Sequence, residues 1–177
     1  MRLGLQLAEG LEAAHASRVI HRDLKPGNLR ITPDGRLKLL DFGLAKLLRS
    51  EAEQATGLSS TGAGVIAGTL PHMSPEQLEG KRVDCRTDIY AAGTVLYEMA
   101  TGRSPFGDAR GARMIDSILH RAPLPPGVSN PRISRGLEAT ILRCLEKDPA
   151  LRYQSARELG ADLRRIAMPG SLSTRSE

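Results

Sequence analysis

The sequence predicts a mainly helical domain of the α+β class with one short β-hairpin near its N-terminal end. Three observations lead there. Apolar residues recur at helical spacing in five stretches, about 3–16, 88–101, 111–121, 134–146 and 155–167. Only one pair of short runs, Leu29-Arg30-Ile31-Thr32 and Leu37-Lys38-Leu39-Leu40, alternates like strands, and Pro33-Asp34-Gly35 between them is turn chemistry. The chain has 177 residues, 40% hydrophobic and 25% charged, which fits one ordinary soluble domain. Two Phe, three Tyr and no Trp leave the core to Leu, Ile, Val and Ala.

The first helix, Leu3 to Ala16, carries Leu3, Leu7, Leu11 and Ala14 on one stripe, with Glu9 and Glu12 off it. Val19-Ile20 reads as a short apolar strand leading into a loop at His21. The hairpin follows and brings Asn28 and Asp41 to the same open end, where both side chains reach a shared ligand. Residues 50–68 are rich in Gly, Ser, Thr and Ala without period and read as a loop. Ser74 is the expected N-cap of a short helix with Pro75 at its first position. Asp88 is read as the cap of a strongly apolar helix that Gly102 ends after Thr101. Its apolar residues run nearly all round, which predicts a buried central helix. Residues 122–133 hold four prolines and form an irregular connection. No internal repeat occurs. The expected organisation is one domain, 1–167, with 168–177 as a tail or linker.

Composition excludes several classes of function. Net charge is +5, but basic residues are interleaved with Asp and Glu and have no aromatic platform among them, so nucleic acid is not an expected partner. Cys85 and Cys144 are isolated, which argues against a zinc site and for two packing thiols in a reducing, cytoplasmic setting. The start of the chain is amphipathic rather than a signal peptide. The best apolar run, Ile89 to Ala100, is too short for a membrane span and contains Glu98.

The chemistry is concentrated in His21-Arg22-Asp23-Leu24-Lys25-Pro26-Gly27-Asn28, with Asp41-Phe42-Gly43 thirteen residues beyond Asn28. Two carboxylates, an amide and a lysine on adjoining loops suit phosphoryl transfer from a magnesium-bound nucleotide. An isolated Asp in a loop is more often a cap. The whole octapeptide followed by D-F-G resembles the catalytic and metal-binding loops of eukaryotic-type protein kinases, and Lys25-Pro26 resembles the serine/threonine branch. Thr32-Pro33-Asp34-Gly35 and the short hairpin look similar to the bacterial members. The resemblance covers the large C-terminal lobe of the kinase domain over nearly the whole chain.

That resemblance implies roles. Asp23 would be the catalytic base for an incoming Ser or Thr hydroxyl. Lys25 would offset charge on the transferring phosphoryl group. Asn28 and Asp41 would hold Mg²⁺ (or Mn²⁺) and, with Lys25, the phosphates of ATP. Thr69, before Ser74-Pro75-Glu76, would hydrogen-bond near Asp23 and Lys25 and shape the site for a hydroxyl substrate. Arg22 would pair with a phosphate on the activation loop, for which Ser59, Ser60 and Thr61 are the candidate acceptors. His21 and Phe42 would pack together, Phe42 fixing the direction of Asp41. Glu76 would pair with Arg152, and Asp88 would tie the central helix to the backbone at His21-Arg22.

The family's glycine-rich loop, strand lysine and helix glutamate have no counterpart in these residues. The glycine run at 62–68 is spaced G-x-G-x-x-x-G and lies inside the activation segment, so it is not such a loop. The expected N-terminal lobe would come from upstream of Met1, read as an internal or truncated start, or from a separate chain. Arg30 stands where many relatives carry an apolar residue, and His72 where a tyrosine is common. The expected function is transfer of the ATP γ-phosphoryl group to Ser or Thr of a protein substrate, the chain alone being inactive or weak. The rivals are a non-catalytic docking module, against which Asp23, Lys25, Asn28 and Asp41 together argue, and a nucleic-acid binder.

Overall fold

The computed structural model describes residues 1–42 and 70–168. The mainly helical α+β prediction holds. In chain order come α1 (Arg2–Ala16), β1 (Leu29–Ile31), β2 (Leu37–Leu39), α2 (Pro75–Leu78), α3 (Cys85–Thr101), α4 (Ala112–His120), α5 (Pro126–Ser129), α6 (Arg135–Cys144) and α7 (Ala156–Ala167). Short 3₁₀ turns lie at Pro26–Asn28, Leu70–His72 and Pro149–Leu151.

α3 runs through the middle, with Ile89, Tyr90, Ala92, Val95 and Tyr97 almost wholly buried. This is the physical outcome of an apolar surface that wraps the whole helix. α1 packs on α7, with Gly4 beside Leu163 and Ala8 beside Gly160. The buried stripe of α1 is Gly4, Leu7, Ala8 and Leu11, one residue round from the predicted one because Leu3 and Ala14 are only half-buried. At the crossing of α3 and α6, a Cβ on Gly93 would stand 2.5 Å from the Cys144 Cβ, so only glycine allows this approach.

The strands pair antiparallel, Leu29 with Leu39, Arg30 with Lys38 and Ile31 with Leu37. Gln6 on α1 accepts a hydrogen bond from the Leu37 N–H at 2.6 Å, and Leu39 reaches Gly10. The hairpin is thereby fixed to the first helix, not merely folded on itself.

Three expectations are corrected. Val19-Ile20 is not a strand. Arg18 adopts a left-handed φ of 60° and the Val19 N–H returns to the Ala14 carbonyl at 2.9 Å, so this stretch closes the end of α1. Asp88 does not cap α3. The helix starts at Cys85, capped by Asp84, whose carboxylate accepts from the Arg86 N–H at 2.9 Å, and Asp88 lies inside the first turn. The proline-rich connection contains one helical turn, α5, begun by Pro126 at its first position. Gly102 does end α3, at φ 71°. Among the described residues no helix is long and apolar enough to cross a membrane. α7 ends at Ala167, and of the expected tail, 168–177, all but Met168 lies outside the described residues.

Candidate active site

The loop from His21 to Asn28 is held from below by α3. Asp88, fully buried, accepts from the His21 N–H on Oδ2 and from the Arg22 N–H on Oδ1, both at 2.8 Å. Arg22 sits at φ 65°, a conformation unfavourable for a side chain larger than glycine's. Its carbonyl accepts from Gln77 Nε2 at 2.8 Å. With its N–H and C=O both committed, this strained residue fixes the direction in which Asp23 leaves the backbone. The His21 ring is buried, donates from Nε2 to the Leu40 carbonyl at 2.9 Å and lies 4.8 Å from the Phe42 ring. One side chain thus joins the two loops.

Asp23 Oδ2 accepts from Lys25 Nζ at 2.9 Å and from Asn28 Nδ2 at 3.2 Å. The same amide donates to the Asp23 carbonyl at 2.8 Å. Both amide hydrogens of Asn28 therefore point toward Asp23, and its oxygen is the remaining polar atom. Asp23 Oδ1 is buried and has no hydrogen-bond partner among the described residues. Pro26 starts the turn that carries Asn28, and Lys25 before it is extended at φ −159°, as the residue preceding a proline favours. The Leu40 N–H bonds the Asn28 carbonyl at 2.9 Å, so Asn28 and Asp41 do sit at one end of the hairpin. Asp41 is exposed and left-handed at φ 55°.

The donor set suits a hard cation. An amide oxygen and an exposed carboxylate oxygen fit Mg²⁺, which keeps waters and phosphate oxygens for its other positions. Among the described residues no cluster of three or more His, Cys, Asp or Glu stands ready to hold a metal alone.

A second polar cluster lies under α2. Arg152 is fully buried, and all five of its N–H donors are used. Nη1 and Nη2 donate to the two Glu76 oxygens at 2.8 Å each. The rest go to the carbonyls of Glu146, Lys147 and Arg86 at 2.7, 2.9 and 3.0 Å. Thr87 donates to Glu76 Oε1 at 2.8 Å. Burial pushes the Glu76 carboxyl up, but the hydrogen bonds and charge of Arg152, aided by Thr87, outweigh it and hold the group below the usual carboxylate range.

His72 is buried at the start of α2's approach to α3. Thr94 gives its hydroxyl hydrogen to the Ala91 carbonyl, so the 2.8 Å contact between His72 Nδ1 and Thr94 Oγ1 is donated by the histidine. Burial first, and then the Lys25 charge, pull the His72 pKa down to about 4 against the opposing pull of Asp23. The 3.8 Å approach of Nε2 to Glu98 is therefore not an ion pair near neutrality. Burial also pushes the Glu98 carboxyl up.

Sequence reasoning missed two residues that touch this framework. Gln77 was legible only as the third residue of a capping box. Its Oε1 does accept from the Ser74 N–H at 3.1 Å, but its amide nitrogen serves Arg22. His15 donates to Asp88 at 2.8 Å from 73 residues away and has no local signal. Ser59, Ser60, Thr61 and Thr69 lie outside the described residues.

The protein kinase domain family matches residues 2–162. The chain belongs to that family. A probable serine/threonine-protein kinase of Clostridium perfringens is 41% identical over 165 residues, covering 93% of this chain and 23% of that protein. One of Streptomyces coelicolor is 36% identical, covering 92% and 24%. The serine/threonine-protein kinase PknB of Mycobacterium tuberculosis is 37% identical, covering 89% and 24%. The chain spans about a quarter of the length of these relatives. Kinases of this family use ATP and Mg²⁺ and act on proteins, and the helical architecture with its small hairpin is that of the domain's C-terminal lobe.

Proposed function

We propose that this chain forms the substrate-activating, metal-holding lobe of a serine/threonine protein kinase that moves the γ-phosphoryl group of Mg-ATP to a protein Ser or Thr hydroxyl. The observation that carries the reading is Asp23 Oδ1, buried and without a hydrogen-bond partner among the described residues, beside Lys25 and Asn28. An unsatisfied buried carboxylate oxygen is costly in a fold and is useful where it accepts the proton of an incoming hydroxyl.

Asp23 orients and accepts that proton. Lys25 offsets charge on the transferring group, as an ammonium in a partly desolvated site does well. Asn28 and Asp41 would hold the cation, whose charge would offset that of the phosphate oxygens. Thr69 shapes the hydroxyl pocket. Arg22 takes the regulatory phosphate on Ser59, Ser60 or Thr61. The clamp for the α- and β-phosphates is supplied by an N-terminal lobe upstream of Met1 or on a separate chain. Because positioning is most of what this catalysis needs, the 177 residues alone transfer little or no phosphate. The setting is cytoplasmic.

The test is a radiolabelled phosphotransfer assay with Mg-ATP, on this chain and on the chain with upstream residues restored, each beside Asp23→Asn. Transfer in the restored protein that vanishes in the variant is expected. Nucleotide binding without turnover in the restored protein would instead make the chain a docking module.

A further inference from the structure

We propose that Arg30 and Lys38 form a cationic seat for the diphosphate of the bound nucleotide, on the leaving-group side of the transfer. The proposal rests on the kinase reading above. The two residues are directly paired across the hairpin. In such a pair the Cβ atoms lie about 5 Å apart, and like charges so placed repel. A two-stranded hairpin with three residues in each strand has little stability to spare. Both residues are exposed, and among the described residues neither makes a hydrogen bond or an ion pair. The carboxylate of the hairpin's turn, Asp34, is taken by Arg36 at 2.9 Å. A local rule broken with nothing in the fold to offset it points to a ligand that supplies the missing charge.

Placement says which anion. Alternation along β1 and β2 sends Leu29, Ile31, Leu37 and Leu39 to one face and Arg30 and Lys38 to the other. Leu29, Leu37 and Leu39 pack on the core, so the two cations stand on the open face. Leu29 is extended, at φ −114° and ψ 135°, which puts Asn28 and Arg30 on the same side of the strand. Arg30 follows Asn28 by two residues, about 7 Å, a distance its own side chain spans. In-line transfer sets the attacking hydroxyl and the leaving oxygen on opposite sides of the phosphorus. Asp23 takes the hydroxyl side. The chain arrives at Asn28 from Asp23 and leaves it along β1, so the leaving diphosphate falls over the hairpin. Two cations there offset its charge, in addition to the clamp of the N-terminal lobe. The arginine fork suits two phosphate oxygens, and the lysine ammonium adds a point charge.

The test compares the protein with upstream residues restored and its double variant, Arg30→Leu with Lys38→Leu. Each is titrated with Mg-ATP, Mg-tripolyphosphate and adenosine, so binding is read without turnover. At low salt the double variant should bind Mg-ATP and Mg-tripolyphosphate about tenfold more weakly or worse. The gap should narrow at high salt, where exposed charges are screened. Adenosine should bind both proteins alike, and Arg30→Lys, which keeps the charge, should keep most of the affinity for Mg-ATP. The double variant should unfold in urea no more easily than the unmutated protein, since a repelling pair is gone. Equal affinity for Mg-ATP, or a loss that salt does not alter, would overturn the proposal. So would an equal loss for adenosine, which would assign the residues to the base, or a clear loss of stability, which would assign them to the fold. If the unmutated protein binds Mg-ATP but transfers no phosphate, the functional reading fails while the titrations still decide the seat. If it transfers phosphate and the double variant binds Mg-ATP as tightly, the seat fails and the functional reading stands.

Discussion

Arg152 and Asp23 are both charged groups drawn into the protein beside α3, and they are treated in opposite ways. Every N–H of Arg152 has a partner, two on Glu76 and three on backbone carbonyls. Asp23 keeps one buried oxygen unbonded among the described residues and stands next to a residue in a left-handed conformation. The first cluster closes on itself and leaves nothing for a ligand. The second is left open by the same fold that could have closed it. A fully satisfied network serves rigidity, and a partly satisfied one held by a rigid neighbour serves chemistry.

The sharpest way to break the contrast is to open the closed cluster. Glu76→Ala should lower the unfolding free energy by about 3–5 kcal/mol, because it strands a buried guanidinium. The paired replacement of Glu76 by Leu and Arg152 by Met should not recover that loss, since three carbonyls would still lack donors. Urea unfolding of the two proteins checks both statements.

Acid should separate the regions next. His72 has an ordinary value of 6.5 and a folded value of about 4. Between those values the unfolded chain binds more protons than the folded one, so stability is full above about pH 6.5 and falls as pH drops toward 4. The loss should be about 3 kcal/mol, and His72→Gln should flatten it in unfolding curves taken at pH 7 and pH 4.5. Glu76 has the same sign at lower pH, its contribution disappearing as its depressed folded pKa is crossed.

Smaller still is Gly93→Ala. Crowding against Cys144 opposes the helix propensity gained, and the net cost should be about 1–2 kcal/mol by thermal or urea unfolding. Asp23→Asn should change stability by less than about 1 kcal/mol while abolishing transfer in the restored protein. A large destabilisation by Asp23→Asn would erase the distinction between the two clusters.

How far these regions could be read in advance differs too. The helices and the hairpin follow from local period and turn chemistry, which a sequence displays directly. Asp84 and Asp88 stand four residues apart, and either could cap α3. Tertiary structure decided, because Asp88 was wanted by two amides more than sixty residues away. Val19-Ile20 has strand composition, but hydrogen bonds closing α1 prevailed. The octapeptide at 21–28 was legible because its chemistry is packed into one short stretch. Gln77 and His15 were not, since each meets its partner across 55 and 73 residues.

The tight crossing of α3 and α6 has a further consequence for the two thiols. Cys144 is wholly enclosed there, and burial pushes its thiol up to about 12, so in the native protein it offers almost no thiolate. Cys85, half-buried at the start of α3, is reached far more easily. An alkylating reagent should therefore mark Cys85 on a native molecule and Cys144 only on one that has come apart. The protein carries its own clock for unfolding, and the ratio of the two labels in a single mass spectrum would report how often its centre opens.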